Sequence, residues 1–173
     1  DANETAEAWR QAILREDGPT LLALSRQKLP VLDRTKLAPA SGLAQGAYIL
    51  FDADGLPDLI LIATGSEVSL ALEAASVLLG DGVKLRVVSM PRWELCVDQP
   101  QSFRDKVLSP AVRALMAIES GVPMGWHKYV GSQGDVIGIE RFGASAPGDK
   151  VMDEFGFNVE NVVKRARALL DKG

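Results

Sequence analysis

The sequence has one cysteine, one histidine and no apolar run long enough to cross a membrane. Its 173 residues include 19 lysines and arginines against 23 aspartates and glutamates, which gives a formal net charge of −4. The lone Cys96 excludes an internal disulfide and fits a reducing compartment, so we expect a cytoplasmic protein. The longest apolar stretch, around 59–63, is far shorter than the roughly 20 residues that a bilayer-spanning helix needs.

These shortages also exclude two kinds of ligand. No block of Lys and Arg offers the clustered basic surface that nucleic-acid binding requires, so we expect neither a nucleic acid nor a membrane as partner. Cys96 and His127 are too few and too far apart to form a zinc site by themselves. Cys96 is better interpreted as a small, half-buried apolar residue. A hydrophobic content of 47% with 24% charged residues is typical of a globular protein.

The first 43 residues predict a small N-terminal piece and a linker. The apolar run 20–24 predicts a buried strand. The segment 27–43 keeps no hydrophobic period and contains prolines and glycines, which is typical of a linker. Residues 1–26 therefore resemble the tail of a preceding domain. Four residues with helical spacing predict a helix that ends near Arg15: Ala2, Ala6, Trp9 and Ile13.

Residues 44–173 alternate strand-like and helix-like segments. The turn-rich segment 52–57 predicts that the strands on either side of it are antiparallel neighbours. Asn158 is placed to cap the last helix. The alternation predicts a three-layer αβα, Rossmann-like α/β domain with about five mostly parallel strands and one antiparallel edge strand. The predicted strands are 47–51, 58–63, 83–90, 111–118 and 136–139, and the predicted helices are 64–79 and the segment after Asn158.

Three places are candidates for binding, each with a simpler structural interpretation. The helix start at Ser66 offers free N–H groups to an anion, although Ser66 as a plain helix cap is favoured. The segment 140–142 follows the last strand, where a salt-bridged loop is the default interpretation. Arg26 follows the predicted strand 20–24, and its guanidinium can bind a phosphate or carboxylate through two hydrogen bonds. By position alone Arg26 is interpreted as a solvated strand-end arginine.

Seven short strings, in the same order, resemble the transketolase family. Leu24-Ser-Arg-Gln and the strings before it are similar to the end of that family's pyrimidine-binding domain, and the later strings are similar to its C-terminal domain. The resemblance covers essentially the whole chain. Trp126-His-Lys-Tyr and Arg141-Phe-Gly-Ala-Ser-Ala-Pro favour this family over two related thiamine enzymes, 1-deoxyxylulose-5-phosphate synthase and the pyruvate dehydrogenase beta subunit.

The resemblance implies a transferase that moves a two-carbon ketol unit between sugar phosphates in the pentose phosphate and Calvin pathways. Such enzymes use thiamine diphosphate with a divalent cation, Mg²⁺ or Ca²⁺, and act as homodimers. Arg26 matches the family arginine that binds the terminal phosphate of the substrate. Three parts of the family's active site lie outside this chain. They are the first domain with its cation-anchoring Gly-Asp-Gly motif, the activating glutamate and the active-site histidines. His127 does not replace those histidines.

We therefore expect a C-terminal fragment of a transketolase-like enzyme. Residues 1–26 would end the pyrimidine-binding domain, 27–43 would be the linker, and 44–173 would be the C-terminal domain. By itself the fragment is expected to bind no cofactor and to be inactive, and Arg26 is its single expected site residue, with no catalytic, cofactor-binding or metal-binding residue. The alternatives are a stand-alone regulatory or anion-binding module and a fragment of one of the two related thiamine enzymes.

Overall fold

The most apolar segments of the sequence form the centre of a five-stranded sheet. Every residue of β2 (Leu59–Ala63), β3 (Leu85–Ser89) and β4 (Ala114–Ile118) is buried. The outer strands, β1 (Tyr48–Asp52) and β5 (Asp135–Ile137), are only partly buried. This computed structural model describes residues 1–172.

The order of the strands confirms the predicted fold class. The sheet runs β1-β3-β2-β4-β5, and every neighbouring pair is parallel except β1 with β3. The chain passes from β2 to β3 on one side and then crosses to β4 on the other side of β2. The carboxyl ends of β2 and β4 therefore flank the point where the strand order reverses.

The predicted pairing of the first two strands is wrong. β1 pairs with β3, with Tyr48 opposite Ser89, and β2 lies one position further in, between β3 and β4. The wholly apolar β2 is buried best with a strand on each side, whereas β1 carries polar groups that suit an edge. Asp52 at the end of β1 binds Arg86 of β3, with Nη2 and Oδ2 2.8 Å apart. Residues 53–58 connect β1 to β2, and β3 lies between these two strands in the sheet. The connection is therefore not a hairpin turn.

Two long helices cover one face of the sheet, α2 (Glu67–Gly80) and α7 (Val159–Leu170). The polar stripe of α2 faces outward, because Glu73 and Ser76 are exposed. Asn158 caps α7 as predicted, since its side chain accepts a hydrogen bond from the backbone N–H of Asn161 at 2.8 Å. Both helices pack on alternate strand residues such as Leu59 and Leu61.

Short helices cover the other face, and the sequence patterns did not predict them. They have four to seven residues each, which is too short to show a helical period. Cys96 and Trp126 are buried there against Ile60 and Ile62. Within residues 1–172 the unpredicted helices are a 3₁₀ helix (Ala40–Gln45), α3 (Trp93–Val97), α4 (Gln101–Val107), α5 (His127–Val130) and α6 (Gly148–Glu154). Of these, α3, α4 and α5 pack on this face, whereas Met152 of α6 packs on the side of α2 and α7.

The first 31 residues form an N-terminal arm that runs out along α1 (Ala2–Leu14) and returns in extended conformation. The predicted strand 20–24 is wrong: no neighbouring strand pairs with it in the described part of the chain, and Leu21 is 92% exposed. An extended segment becomes a strand only where a partner supplies ladder hydrogen bonds. The helical period of α1 is confirmed, but the face that carries Trp9 and Ile13 is exposed.

An ion pair fastens α7 to the edge of the sheet. Arg165 Nε donates to Asp135 Oδ2 at 2.7 Å, and Arg165 Nη2 donates to the carbonyl of Val136 at 2.9 Å. Burial alone would raise the pKa of Asp135, but the hydrogen bonds and positive charge of Arg165 outweigh burial and lower it. The ionised carboxylate is therefore the form that the folded protein stabilises.

Asp135→Asn is expected to lower the free energy of unfolding by about 1–2 kcal/mol at pH 7, because it removes a charge-assisted pair. The folded pKa lies below the unfolded value of 3.8. The stabilising contribution is thus present above about pH 4 and is lost as the pH falls through the folded pKa. Urea denaturation of both proteins across this pH range measures the difference.

The exposed pair Arg167–Asp81, which also involves α7, provides the control. Asp81→Asn should change the free energy of unfolding by less than about 0.5 kcal/mol, because exposed ion pairs contribute little. Equal losses in the two variants, or a loss in Asp135→Asn that does not depend on pH, would contradict the assignment.

Candidate functional site

Arg26 lies on the returning half of the N-terminal arm, in a bend, and its side chain is exposed. A cleft of about 570 Å³ lies between the arm and the sheet domain, and Arg26 is not among the residues that line it. The residues just before Arg26, from Pro19 to Ser25, line the arm side of this cleft. An exposed guanidinium is available to an anionic ligand. Its phosphate-binding role stays a prediction.

Charged groups of both signs line this cleft. Glu4 comes from α1 and Arg15 directly follows it, whereas Arg92 and Glu94 come from the segment that follows β3. Arg15 also shapes the end of the arm, because its Nε donates to Asp17 Oδ1 at 3.0 Å and its Nη1 donates to the carbonyl of Pro19 at 3.1 Å. The turn that starts the returning half of the arm is therefore held by side-chain hydrogen bonds.

Two glutamates lie where the strand order reverses, at the carboxyl ends of β2 and β4. Thr64 Oγ1 donates to Glu119 Oε2 at 3.1 Å, and the backbone N–H of Ser120 donates to Glu67 Oε2 at 3.2 Å. Glu67 is 3% exposed and also accepts a hydrogen bond from the hydroxyl of Ser66. Burial raises the pKa of Glu119, and the charge of Glu67 acts in the same direction.

This arrangement changes the interpretation of Ser66. Ser66 is the residue before α2, but its hydroxyl binds the Glu67 carboxylate and makes no capping bond to the helix backbone. The carboxylate in the first turn of α2 already provides the negative charge that a helix N-terminus favours. A second anion at Ser66 would meet the repulsion of Glu67 and Glu119, so the geometry disfavours the anion site.

The remaining candidates have structural roles. Cys96 is buried, and burial raises the pKa of its thiol, which leaves it protonated and unreactive. His127 begins α5 and is exposed. Arg141 lies over the ring of Phe155, 4.5 Å from its centroid, where a salt bridge was expected. Within residues 1–172 no group of three or more His, Cys, Asp and Glu is placed to hold a metal ion.

The tripeptide Gly80-Asp81-Gly82 has the same sequence as a diphosphate-anchoring motif, but its position in the fold does not fit that role. It ends α2, where helix carbonyls give a negative potential that repels phosphate. The Asp81 carboxylate accepts a hydrogen bond from Arg167 Nη2 at 2.6 Å. This tripeptide therefore does not fit a thiamine diphosphate site.

No helix in the described residues has the length and hydrophobicity to cross a membrane.

Comparison with known proteins assigns the sheet domain to a class. Residues 46–158 match the family model described as "Transketolase-like TK C-terminal domain". The sheet domain is therefore a transketolase-like C-terminal domain.

Whole-chain comparisons place the rest of the sequence in the same family. The chain is 51% identical over 173 residues to a transketolase of Geobacillus stearothermophilus, which covers 99% of this chain and 26% of that protein. It is 48% identical to a transketolase of Nostoc sp., over 98% of this chain and 25% of that protein. The structure of a Leishmania mexicana transketolase superposes with a TM-score of 0.90 at 38% identity, over 99% of this chain and 24% of that one. The chain belongs to the transketolase family, and it spans about a quarter of the length of these relatives.

Glu119→Gln is expected to raise the free energy of unfolding by up to about 1 kcal/mol at pH 7, because the ionised form of Glu119 is disfavoured by burial and by Glu67. The folded pKa lies above the value of 4.5 for the unfolded chain. Wild-type stability is therefore lost as the pH rises through the folded pKa, and the advantage of the variant should vanish below about pH 4. Denaturant unfolding at several pH values measures this.

Glu73→Gln is the matched control, because Glu73 lies on the exposed stripe of α2. It should leave the free energy of unfolding unchanged within about 0.5 kcal/mol at every pH. A Glu119→Gln protein that is less stable than wild type at pH 7 would show that the Thr64 hydrogen bond outweighs the cost of ionisation.

Proposed function

We propose that this chain is the C-terminal part of a transketolase, an enzyme that transfers a two-carbon ketol unit between sugar phosphates. The observation that carries the proposal is the 51% identity to a transketolase over 99% of the chain. A solved structure of a Pichia stipitis transketolase, 36% identical over 99% of this chain, is a complex with sedoheptulose 7-phosphate. A sugar phosphate is thus the substrate class that we propose for the parent enzyme, in the pentose phosphate or Calvin pathway of the cytoplasm.

The proposed division of the chain follows the resemblance. Residues 1–26 end the pyrimidine-binding domain, 27–43 are the linker, and 44–173 form the C-terminal domain. The exposed apolar face of α1, with Trp9 and Ile13, supports this division, because a face of this kind is normally covered by further protein. The other domains of the parent, acting as a homodimer, would bind thiamine diphosphate and Mg²⁺ or Ca²⁺.

The role proposed for Arg26 is to bind the terminal phosphate of the substrate. Two features support it: the match to the family's Leu-Ser-Arg-Gln string and the exposure of Arg26. A guanidinium donates two parallel hydrogen bonds to a phosphate, which gives both affinity and orientation. The 44–173 domain then contributes domain packing and dimer contacts and carries no catalytic residue.

No observation favours the alternatives over this proposal. The stand-alone anion-binding module loses its site, because the Ser66 hydroxyl already binds the Glu67 carboxylate. The solved structures that match over nearly the whole chain are transketolases. The sequence of the gene upstream of Asp1 tests the choice: a frame that encodes the pyrimidine-binding domain supports the proposal, and a start codon just before Asp1 overturns it.

The isolated chain should bind no thiamine diphosphate and show no ketol transfer, since affinity requires the cation site and the pyrimidine pocket of the missing domains together. Calorimetric titration with thiamine diphosphate and Mg²⁺ is the measurement. The intact parent enzyme, titrated under the same conditions, is the positive control. Micromolar binding to the isolated chain would contradict the proposed division of roles.

Arg26→Ala in the intact parent should raise KM for phosphorylated sugars roughly ten- to a hundred-fold, because it removes a charge-assisted pair worth about 1.5–3 kcal/mol. The phosphate is remote from the reacting carbons and is bound equally in ground and transition states, so kcat should change little. Steady-state kinetics with a phosphorylated ketose measure both constants.

Hydroxypyruvate, a donor without a phosphate, is the control substrate, and its KM should be nearly unchanged. Arg26→Lys should recover only part of the loss, because lysine keeps the charge but not the two-pronged geometry. Equal weakening for both donors would make Arg26 a structural residue.

A further inference from the structure

An open cavity of about 330 Å³ lies at the amino edge of the sheet, where the chain enters β4 and β5. Residues of the segment 108–115 form one wall, and residues 128–133, which include most of α5, form the other. The cleft beside the N-terminal arm and Ser66 lie instead at the carboxyl ends of the strands. The volume is at the lower end of the range of about 300–1,000 Å³ that small-molecule sites occupy.

The charged side chains that line this cavity are both positive, Arg113 and Lys128. Both are exposed, and neither has a carboxylate partner within residues 1–172. Arg113 also makes no hydrogen bond or aromatic contact there, a property that it shares among the arginines with Arg26. Arginines such as Arg86 are paired with carboxylates. The Arg113 guanidinium thus keeps its five N–H donors for a ligand.

Polar groups without protein partners surround the two cations. The hydroxyls of Ser109, Tyr129 and Ser132 and the side-chain amide of Gln133 line the cavity. In the described part of the chain none of these four side chains makes a hydrogen bond. Lys128 lies beside one of them, because its Nζ atom is 5.7 Å from the centroid of the Tyr129 ring. Each of the four can donate to an acceptor, so the cavity suits a ligand with several acceptor oxygens.

The floor of the cavity is apolar and belongs to the core. Val112, Leu115 and Val130 line it and are 6%, 7% and 2% exposed. The turn beside the floor is closely packed, since a Cβ atom on Gly134 would lie 2.3 Å from the carbonyl oxygen of Val130. Gly131, with a φ of 72°, starts this turn in a conformation that favours glycine. The walls are therefore fixed before a ligand arrives, which lowers the entropic cost of binding.

The end of α4, which lies next to the cavity, does not repel an anion as a bare helix end would. Helix carbonyls at a C-terminus carry partial negative charge. Here the carbonyls of Lys106 and Val107 accept hydrogen bonds from Arg86 Nη1, at 2.6 and 3.1 Å. The guanidinium of Arg86 therefore offsets the negative end of this helix.

We propose that this cavity binds a small organic phosphate monoester. Its phosphate group lies between Arg113 and Lys128, and its organic part lies on Val112 and Leu115. A phosphate monoester carries a charge of about −1.5 to −2 at pH 7 and three strong acceptor oxygens, which matches two cations and several free donors better than a singly charged carboxylate does. The proposal depends neither on Arg26 nor on the activity of the parent enzyme.

NMR titration of the ¹⁵N-labelled 173-residue chain with phenyl phosphate tests the site. The shifts should be saturable, with a Kd on the order of 0.1–1 mM, and should centre on the amides of 108–115 and 128–133. Inorganic phosphate should bind the same residues roughly tenfold more weakly, because it leaves the apolar floor uncovered. Phenol, which has no phosphate, should not bind. Equal binding of phenol, or of inorganic phosphate, would overturn the proposal.

Single substitutions assign the binding to the two cations. Arg113→Gln and Lys128→Gln should each weaken phenyl phosphate binding at least roughly tenfold, because each removes a charge-assisted hydrogen bond. Both side chains are exposed, so the remaining spectrum should stay that of the folded wild type. Arg10→Gln, which removes an exposed positive charge from α1, is the matched control and should leave the affinity unchanged. An equal loss in Arg10→Gln, or shifts that do not map to the cavity, would show that net charge alone attracts the anion and would overturn the proposal.

Discussion

Burial of β2, β3 and β4 on both faces is the constraint from which the rest of the fold follows. Strands with no exposed residue need helices above and below, and they need neighbours on both edges. This requirement places α2 and α7 on one face and α3, α4 and α5 on the other. It also sends the more polar β1 and β5 to the edges, where Asp52 and Asp135 form their ion pairs with Arg86 and Arg165.

Carboxylate side chains bind hydrogen-bond donors at the edges of the apolar core. Glu67 and Glu119 lie at the carboxyl ends of the central strands and bind donors from the neighbouring loop and helix start. Glu4 extends the same device to the edge of the sheet, where it joins α1 to β1 and β3. A buried charge requires specific donors, so these contacts fix geometry more strictly than an apolar patch of equal area.

Sequence patterns predicted the parts of the fold that depend on local periodicity. The face of α7, its Asn158 cap and the three apolar central strands follow from residue spacing and burial alone. The position of β1 was missed because the turn-rich segment 52–57 suggests a hairpin, while the actual partner, β3, is separated from β1 by β2 and the whole of α2. The short helices have no measurable period. The predicted strand 20–24 shows that a β-like run is not a strand without a partner.

The same distinction between local pattern and long-range contact applies to the candidate functional residues. Local chemistry could propose an anion at Ser66 but could not show that Glu119, more than fifty residues away, would lie beside Thr64 and near Glu67. Arg26 was a candidate from its position after a predicted strand, but its phosphate-binding role came from the resemblance to a family motif, because position alone indicated a solvated arginine. The contacts of Glu4 were equally invisible, since Tyr48 and Ser89 are distant in sequence. The environment of these charged residues is therefore set by contacts between distant parts of the sequence. It can be described only after the buried strands have fixed the position of the arm.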